Sequence, residues 1–398
     1  MRIKTVANNV YSVGVVDWNV RHFHGYTYST LRGSSYNSYL VMDKKIALVD
    51  TVYGPFAQEL IGRIKEIVEP SKIEYVVANH VETDHSGALP EIMKLCPNAV
   101  VIGTAKCKEG LAKYYPNNWK FQIVKTGDTV SLGSKTLSFI EAPMIHWPDS
   151  MFTYIPEDEL LLSNDAFGQH LAATERFDDE VDNCVLMDEA AKYYANILIP
   201  FNSQISKKIA EIVATGVKIK TIAPAHGMVW RKNPEQIINA YVNWSKGLPL
   251  KNDVLVCYET MWNATEAMAK AIVDGITQAG LEARLYNVAV SDRTEILKDT
   301  LNCKGIILGS STHDNNILPA MASLVDFIKG LKIKNRFGAA FGAYGWSGES
   351  IKQLDSVLRE CAIDVLAQPL SVKWRPSDEE IKTCVEFGRS FAESLKVK

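Results

Sequence analysis

The stretch IEYVVANHVETDHSG, residues 73–87, joins a short apolar run to a cluster of histidines and carboxylates. Its first part is rich in β-branched and aromatic residues, which is typical of a buried strand. Directly afterwards come His80, Glu82, Asp84 and His85. Because side chains two residues apart share a face of an extended chain, we expect His80, Glu82 and Asp84 to point the same way.

Gathering two imidazoles and two carboxylates is electrostatically unfavourable unless a cation lies among them, so the cluster predicts a metal site. The alternative is a polar strand end with solvated charges. Three further candidate ligands each close an apolar strand: His146 follows LSFIEAPMI, Asp165 follows LLLSN and His226 follows TIAPA. In a layered α/β domain, loops at strand ends are where sites are built.

The complete set contains four histidines and three carboxylates, more than one four-coordinate zinc requires. It suits two metals that share a bridging carboxylate. A nitrogen and oxygen ligand set without thiolates favours iron in a redox role, although zinc and manganese remain possible.

The chain has 398 residues, and at roughly 100–200 residues per domain it predicts two or three domains. A connection rich in Gly, Pro and polar residues, WSKGLPLKND at 244–253, marks a boundary. We therefore predict one domain over 1–249 and a second over 250–398. The first alternates helical and strand-like stretches and is predicted to be a mixed α/β layered domain. It contains a predicted helix over 56–68 and predicted strands over 73–80, 99–104, 137–143, 159–165 and 221–226.

The second domain repeats strand then helix more regularly, which predicts a doubly wound, mostly parallel sheet. Its first strand is predicted over 253–260, and its first helix over 265–280 ends at Gly280. The stretches ARLYNVAV, KGIILGSST and RFGAAFGAYG are predicted as the strands that follow.

Composition narrows the class of protein. Hydrophobic residues make up 47%, charged residues 22%, and the net charge is −3, so we expect a globular protein with no nucleic-acid partner. No apolar run has the length of a membrane span, and MRIKTVANNVYSVGVVDW lacks the features of a signal peptide. We therefore expect no membrane association and a cytoplasmic location. The seven cysteines form no C-x-x-C pair, which argues against a disulfide framework and against cysteine-ligated metals.

The pattern His-x-Glu-x-Asp-His, followed by His146, Asp165 and His226, resembles the flavodiiron proteins (A-type flavoproteins, which include rubredoxin:oxygen oxidoreductase). The resemblance extends along the whole chain and includes HWPDSMFTY, NDAFGQH and DEAAKYYAN. It implies an N-terminal metallo-β-lactamase-like αβ/βα sandwich followed by a flavodoxin-like doubly wound parallel sheet. Hydrolytic members of the first fold usually have His-x-His-x-Asp-His, whereas here Glu82 replaces the second histidine.

The resemblance also implies how the residues divide between two non-haem irons. One iron would be bound by His80, Glu82 and His146, the other by Asp84, His85 and His226, and Asp165 would bridge them. His24 and His170, in RHFHGYT and AFGQH, are candidates to donate protons or hydrogen bonds near the irons, as is Tyr194. Packing or surface roles are the alternative for the two histidines.

Three loops of the second domain predict a phosphate and ring site at the carboxyl edge of its sheet. The first opens a helix, where hydroxyls and backbone N–H groups can hold a phosphate. It lacks G-x-G-x-x-G and is similar to the flavodoxin phosphate loop, whose ligand is FMN. The alternatives are an ordinary turn with a threonine cap and, for Trp346, a buried packing role. The family resemblance implies that these three loops hold the phosphate and ring of FMN, and the residues so predicted are Thr260, Met261, Trp262, Asn263, Ala264 and Thr265; Ser310, Ser311, Thr312, His313, Asp314 and Asn315; and Ala343, Tyr344, Gly345, Trp346, Ser347 and Gly348.

The resemblance implies reduction of dioxygen to water or of nitric oxide to nitrous oxide. Reduced FMN and two ferrous irons together hold the four electrons that dioxygen requires. Electrons would come from an external donor, a rubredoxin or else reduced coenzyme F420. A head-to-tail homodimer, or a tetramer built from it, would bring the flavin of one subunit to the irons of the other.

Two other functions stay open at this point. One is a binuclear zinc hydrolase of the metallo-β-lactamase fold fused to a flavodoxin-like module, with Glu82 as the feature against it. The other is a non-enzymatic electron carrier whose first domain serves only as a scaffold.

Overall fold

The computed structural model describes residues 3–116 and 118–398. The chain packs into two compact units, one made of Met1–Tyr193 with Ser203–Val242 and the other of Tyr194–Asn202 with Asn243–Lys398. The boundary between residues 249 and 250 stays a prediction for where the chain divides into folding domains. In the part of the chain that the structure describes, no helix combines the length and the apolar character needed to cross a lipid bilayer.

The first unit consists of two main sheets with helices outside them. Its strands are β1 (Lys4–Ala7), β2 (Val10–Ser12), β3 (Val15–Asp17), β4 (His22–Phe23), β5 (Tyr28–Ser29), β6 (Ser34–Tyr36), β7 (Tyr39–Val41), β8 (Ile46–Val49), β9 (Ile73–Val77), β10 (Val100–Gly103), β11 (Lys120–Ile123), β12 (Thr129–Ser131), β13 (Thr136–Glu141), β14 (Met151–Ile155), β15 (Leu160–Asn164) and β16 (Thr221–Pro224). Its helices are α1 (Ala57–Lys65), α2 (Thr83–Ser86), α3 (Leu89–Leu95), α4 (Ala105–Tyr114), α5 (Asn183–Tyr193), α6 (Asn202–Ala214) and α7 (Pro234–Ser245).

One sheet runs in the order β1-β2-β7-β8-β9-β10-β11 and the other in the order β12-β13-β14-β15-β16. Alternate apolar side chains of both sheets, among them Val49 and Val77 from one and Phe139 and Leu162 from the other, pack into a common core. Because β8 pairs with β9 and β15 with β16 in parallel, the carboxyl ends of each pair lie at one edge. The loops that follow β9, β15 and β16 begin at these carboxyl edges.

The second unit has a single main sheet. Its strands are β17 (Val254–Glu259), β18 (Ala283–Asn287), β19 (Gly305–Ser310), β20 (Phe337–Tyr344), β21 (Asp364–Val365) and β22 (Leu370–Lys373), and its helices are α8 (Ala264–Gln278), α9 (Arg293–Asp299), α10 (Pro319–Leu331), α11 (Glu349–Glu360) and α12 (Asp378–Lys396). The order β18-β17-β19-β20-β21, with every pairing parallel, is the doubly wound arrangement that the sequence predicts. β22 pairs with the carboxyl half of β20.

Two helices of this unit have residues at their ends that typically stop or begin a helix. Gly280 has a φ of 77° just after α8, as expected of a glycine that stops a helix. Ser377 and Glu380 form a reciprocal capping box that begins α12. α8 and α12 cross closely at Gly275, where an added Cβ would lie 1.9 Å from the carbonyl oxygen of Val385.

Candidate metal centre and flavin pocket

Four of the predicted ligands converge at the edge of the first unit. His80, Glu82, His146 and Asp165 each offer one ligand atom, and these atoms lie within 4.8 Å of one another. Nε2 of His80 is 3.3 Å from Oε2 of Glu82, and Nε2 of His146 is 3.4 Å from the same oxygen. The two rings also face Oδ2 of Asp165, at 3.7 Å and 3.5 Å.

A second group of ligand atoms is formed by Asp84, His85 and His226, within the same limit. Nε2 of His226 is 3.2 Å from Oδ2 of Asp84, and Nε2 of His85 is 3.1 Å from Oδ1 of Asp165. Oδ1 of Asp165 also lies 3.6 Å from Nε2 of His226. The two oxygens of Asp165 therefore face different groups, which is the arrangement a bridging carboxylate requires.

The backbone after His80 differs from our expectation. We expected an extended chain that would turn His80, Glu82 and Asp84 to one face, but the chain is extended only as far as Glu82, and α2 then spans Thr83–Ser86. The expectation of one shared face was wrong, because the helical turn directs Asp84 and His85 toward His226 rather than toward His80. All seven predicted ligands are nonetheless brought together.

The hydrogen bonding of the cluster fits bound cations. Oδ1 of Asp84, Nε2 of His85 and Oδ2 of Asp165 are buried and have no hydrogen-bond partner among the described residues. Buried polar atoms normally have partners, so three orphans in one cluster call for a ligand that accepts their lone pairs. Imidazole nitrogens with carboxylate oxygens suit iron, zinc or manganese.

The charges of the cluster depend on one another. Burial opposes a positive ring at His80, but hydrogen bonds with Asp149 and Glu82 raise its pKa to about 10. His146 behaves alike: burial is outweighed by Asp165 and Glu82, and its pKa rises to about 10. The pKa of Asp165 is held well below its usual range, because the histidines around it outweigh its burial. The carboxylates are thus ionised and ready to bind a cation.

Groups outside the cluster hold two of the candidate ligands in place. Both carboxylate oxygens of Asp149 lie 3.1 Å from Nδ1 of His80, and Nδ1 of His226 lies 2.7 Å from the carbonyl oxygen of Ser35. Partners of this kind fix the ring orientation of ligand histidines. Sequence reasoning missed Asp149, although its position in HWPDS next to His146 was a usable signal.

A further carboxylate, Asp50, braces the segments that carry two ligands. Its Oδ1 accepts from the backbone N–H of Asn79, and its Oδ2 accepts from the side-chain amides of Asn79 and Asn164, at 2.8, 3.0 and 3.2 Å. These asparagines directly precede His80 and Asp165. Asp50 has a φ of 56°, which places it in the left-handed region that non-glycine residues seldom adopt.

His24 and His170 both lie beside the cluster. Nε2 of His24 is 3.5 Å from Oε1 of Glu82, and His24 lines an open cavity of 540 Å³ together with His22, Tyr53, Glu82 and Asp84. Nδ1 of His170 is 2.8 Å from Oγ of Ser34, and its ring centroid is 4.9 Å from that of His226. Burial holds the pKa of His170 well below its usual value, so this ring is neutral.

Two adjacent tyrosines have different partners. The hydroxyl of Tyr193 donates to Oδ1 of Asp165 over 2.9 Å, whereas the hydroxyl of Tyr194, the residue we predicted, donates to Asn202 over 2.6 Å. Tyr194 also packs against the ring of Trp244. The contact with the ligand cluster therefore belongs to Tyr193, and sequence reasoning chose the wrong neighbour for that contact.

The predicted flavin loops of the second unit surround a cavity of 400 Å³. Predicted residues that line it are Met261, Trp262, Ala264, Ser311, Thr312, Ala343, Tyr344, Gly345 and Trp346. Trp374 and Arg375, which follow β22, line it as well, and sequence reasoning missed them. The other predicted positions lie in the same three loops but do not line the cavity; they are Thr260, Asn263, Thr265, Ser310, His313, Asp314, Asn315, Ser347 and Gly348.

The loops fit a phosphate and a flat ring. Oγ1 of Thr260 is buried without a hydrogen-bond partner among the described residues, beside the start of α8. Oγ1 of Thr265 lies 2.9 Å from Oγ of Ser311, which ties the first loop to the second. Trp346 is 65% exposed, so the alternative of a buried packing role is wrong. An orphaned hydroxyl at a helix start is suited to a phosphate oxygen.

Comparison with known proteins matches both units. Residues 35–227 match the family model described as ODP family beta lactamase, and residues 256–388 match the flavodoxin model. The chain is 50% identical to a nitric oxide reductase of Moorella thermoacetica, over 97% of each chain.

Two solved structures are similar over the full length. The rubredoxin oxygen:oxidoreductase of Desulfovibrio gigas has a TM-score of 0.97 and 36% identity, covering 100% of this chain and 99% of that one. The flavodiiron protein of Giardia intestinalis has a TM-score of 0.95 and 37% identity, covering 100% of this chain and 97% of that one.

Proposed function

The chain belongs to the family of flavodiiron proteins, and from that premise we propose that it reduces nitric oxide to nitrous oxide. It is an oxidoreductase whose cofactors are FMN and a non-haem di-iron centre. Both fold types expected from the sequence, the metallo-β-lactamase-like sandwich and the flavodoxin-like sheet, are confirmed. The hydrolase and simple carrier alternatives are set aside.

The observation that carries the proposal is the division of Asp165 between two ligand groups. Its Oδ2 faces His80 and His146, and its Oδ1 faces His85 and His226. We assign one iron to His80, Glu82 and His146, the other to Asp84, His85 and His226, and the bridge to Asp165. Two irons held by these residues would supply redox and Lewis-acid chemistry to a small bound molecule.

When bound, reduced FMN and the two ferrous irons would hold four electrons, two on the flavin and two on the metals. Reduction of two nitric oxide molecules to nitrous oxide and water consumes two of these electrons together with two protons. The chain supplies position and protons. Nε2 of His24 lies 3.5 Å from Oε1 of Glu82, at the wall of the open cavity. The neutral ring of His170 packs against His226, and its Nδ1 is held by Ser34. We assign the exposed His24 to proton delivery and the buried His170 to orienting His226.

The similarity pattern supports nitric oxide as the main substrate. The relative with 50% identity is a nitric oxide reductase, while the Desulfovibrio gigas protein, named for oxygen, shares 36%. Dioxygen reduction to water is the second candidate, and the same site offers it the same ligands. A direct comparison of turnover with each gas, using one reduced donor, tests the choice. A higher kcat/KM for nitric oxide supports the proposal, and a higher value for dioxygen contradicts it.

We further propose an external rubredoxin as the electron donor, with reduced coenzyme F420 as the other candidate. The name of the Desulfovibrio gigas protein supports the first choice. Stopped-flow reduction of the bound flavin by each donor distinguishes them, since the true donor reduces it faster than the enzyme turns over. We also propose that the protein acts in the cytoplasm.

The assembly is proposed to be a head-to-tail homodimer or a homotetramer made from two such dimers. The flavin loops and the metal ligands belong to different compact units, and electron transfer requires the two cofactors to approach closely. Sedimentation of the native protein tests this assembly, and a monomer that retains full turnover would contradict it.

A further inference from the structure

Behind His80, on the ring edge that faces away from the other candidate ligands, lies a buried carboxylate. Nε2 of His80 faces Glu82 and Asp165, while Nδ1 lies 3.1 Å from each oxygen of Asp149. His80 is 0% exposed and Asp149 is 2% exposed. Because a carboxylate accepts hydrogen bonds, this contact keeps a proton on Nδ1 and leaves Nε2 as the nitrogen that would bind a metal once the metal displaces its proton.

Asp149 is itself fixed by groups from two other segments. Its Oδ2 accepts the backbone N–H of Val81 over 2.7 Å, and its carbonyl oxygen accepts from the hydroxyl of Thr104 over 3.0 Å. Thr104 in turn accepts from the N–H of Cys107 and caps α4. The carboxylate is therefore held rigidly against the histidine that it contacts.

The two candidate iron sites differ in this respect. Nδ1 of His226 meets a neutral carbonyl oxygen, that of Ser35, at 2.7 Å. Among the residues that the structure describes, His80 is the one candidate ligand histidine whose second ring nitrogen meets a carboxylate. An anionic acceptor makes the opposite nitrogen a more basic ligand than a carbonyl does.

We propose that Asp149 is the positioning residue of His80 and makes the two irons inequivalent. It holds the proton on Nδ1, presents Nε2 to the metal, and strengthens iron binding at the His80 site relative to the His226 site. Added basicity also stabilises the higher oxidation state, so this iron is the harder one to reduce. The inference rests on the proposed di-iron function.

The test replaces Asp149 with asparagine, which keeps the side-chain volume and removes the charge. Iron-free protein is titrated with Fe²⁺ against a competing chelator. We expect Asp149→Asn to weaken one of the two irons by about 10- to 100-fold and to leave the other unchanged. In Mössbauer spectra of the iron-loaded protein, one of the two iron signals should move while the other stays.

The matched control is Asp178→Asn, a buried carboxylate that accepts backbone N–H groups of Arg231, Lys232 and Asn233. It contacts no ligand histidine in the described residues, so both irons should bind as in the native protein. If Asp149→Asn does not fold, Thr104→Val replaces it, since this change frees the Asp149 carbonyl and should weaken the same iron by a smaller factor. Unchanged iron affinities and spectra in either folded variant overturn the inference.

The outcome is separable from that of the proposed function. If the native protein reduces nitric oxide and the Asp149→Asn variant keeps native iron affinities, only the role of Asp149 is refuted. If the native protein reduces neither gas but Asp149→Asn lowers the affinity for one of the two irons, the proposed function is refuted and the positioning role is supported.

Discussion

Tyr193 and Asp165 are joined by one hydrogen bond, in which the phenolic hydroxyl donates to Oδ1 over 2.9 Å. The same oxygen faces His85 and His226, so the tyrosine orients, from outside the cluster of candidate ligands, the carboxylate that we propose as the bridge. Both residues are buried, which keeps water from replacing the bond.

Replacement of Tyr193 by phenylalanine removes this donor and should lower Fe²⁺ affinity by about tenfold, the lower end of the range for partners of metal ligands. Chelator competition with iron-free protein measures the change. Tyr194→Phe is the control, because the hydroxyl of Tyr194 donates to Asn202 and its loss should leave iron affinity unchanged. A larger effect at Tyr194 than at Tyr193 would reverse our assignment.

Replacement of His226 by alanine removes a side chain that we assign as a ligand of the second iron. We expect iron content to fall from two atoms to one per chain and nitric oxide reduction to be lost. FMN should stay bound at the native ratio, because the flavin loops belong to the other compact unit. Metal analysis and the flavin absorbance of the same sample measure both quantities, and joint loss of iron and FMN would contradict this separation.

Replacement of Thr260 by valine tests the phosphate site. Its Oγ1 is buried without a partner among the described residues, and a hydrogen bond to a charged group contributes about 1.5–3 kcal/mol. FMN affinity should therefore fall by roughly 10- to 100-fold, while iron content stays the same. The control is Thr277→Val, since this exposed residue of α8 bonds only the carbonyl of Asp274 in the described contacts. Equal FMN affinities in both variants would place the phosphate elsewhere.

Replacement of Asp50 by alanine removes the carboxylate that accepts hydrogen bonds from Asn79 and Asn164, and it leaves these donors without a partner. Unsatisfied buried donors cost about 1–3 kcal/mol each, so the free energy of unfolding should fall by roughly 3 kcal/mol after some relaxation. Urea unfolding of the iron-free protein measures this loss. Asp50→Asn, which keeps one acceptor, should show a smaller decrease, and a native midpoint for Asp50→Ala would refute the bracing role.

The sequence was most informative where chemistry and strand ends coincide. All seven candidate ligands were found because they stand just beyond apolar strands. β15 and β16 pair in parallel, and β13 and β15 are both antiparallel to β14, so the ends of these three strands lie at one edge of their sheet. The path between His80 and His85 was not predicted, because six residues of mixed polarity fit a strand end and a helical turn equally well. Side-chain periodicity alone could not decide between them.

Other residues were missed for different physical reasons. Trp374 and Arg375 follow β22, a short strand that was not predicted from the sequence and whose pairing partner is distant in the chain. Tyr193 is the last residue of α5, and Tyr194 is the first residue of a π-helical turn over Tyr194–Leu198. The sequence does not show this change of helical period, so it did not indicate which of the two rings contacts Asp165. Asp149 follows a proline, where a turn is the ordinary expectation.

The central claim is that seven side chains, from His80 to His226, hold two irons bridged by Asp165. Anomalous diffraction from crystals of the native protein, recorded on both sides of the iron absorption edge, tests it most directly. Our account predicts two iron peaks, one between His80 and His146 and one between His85 and His226, with Asp165 touching both. A single peak, a signal at the zinc edge alone, or iron bound away from Asp165 would contradict it.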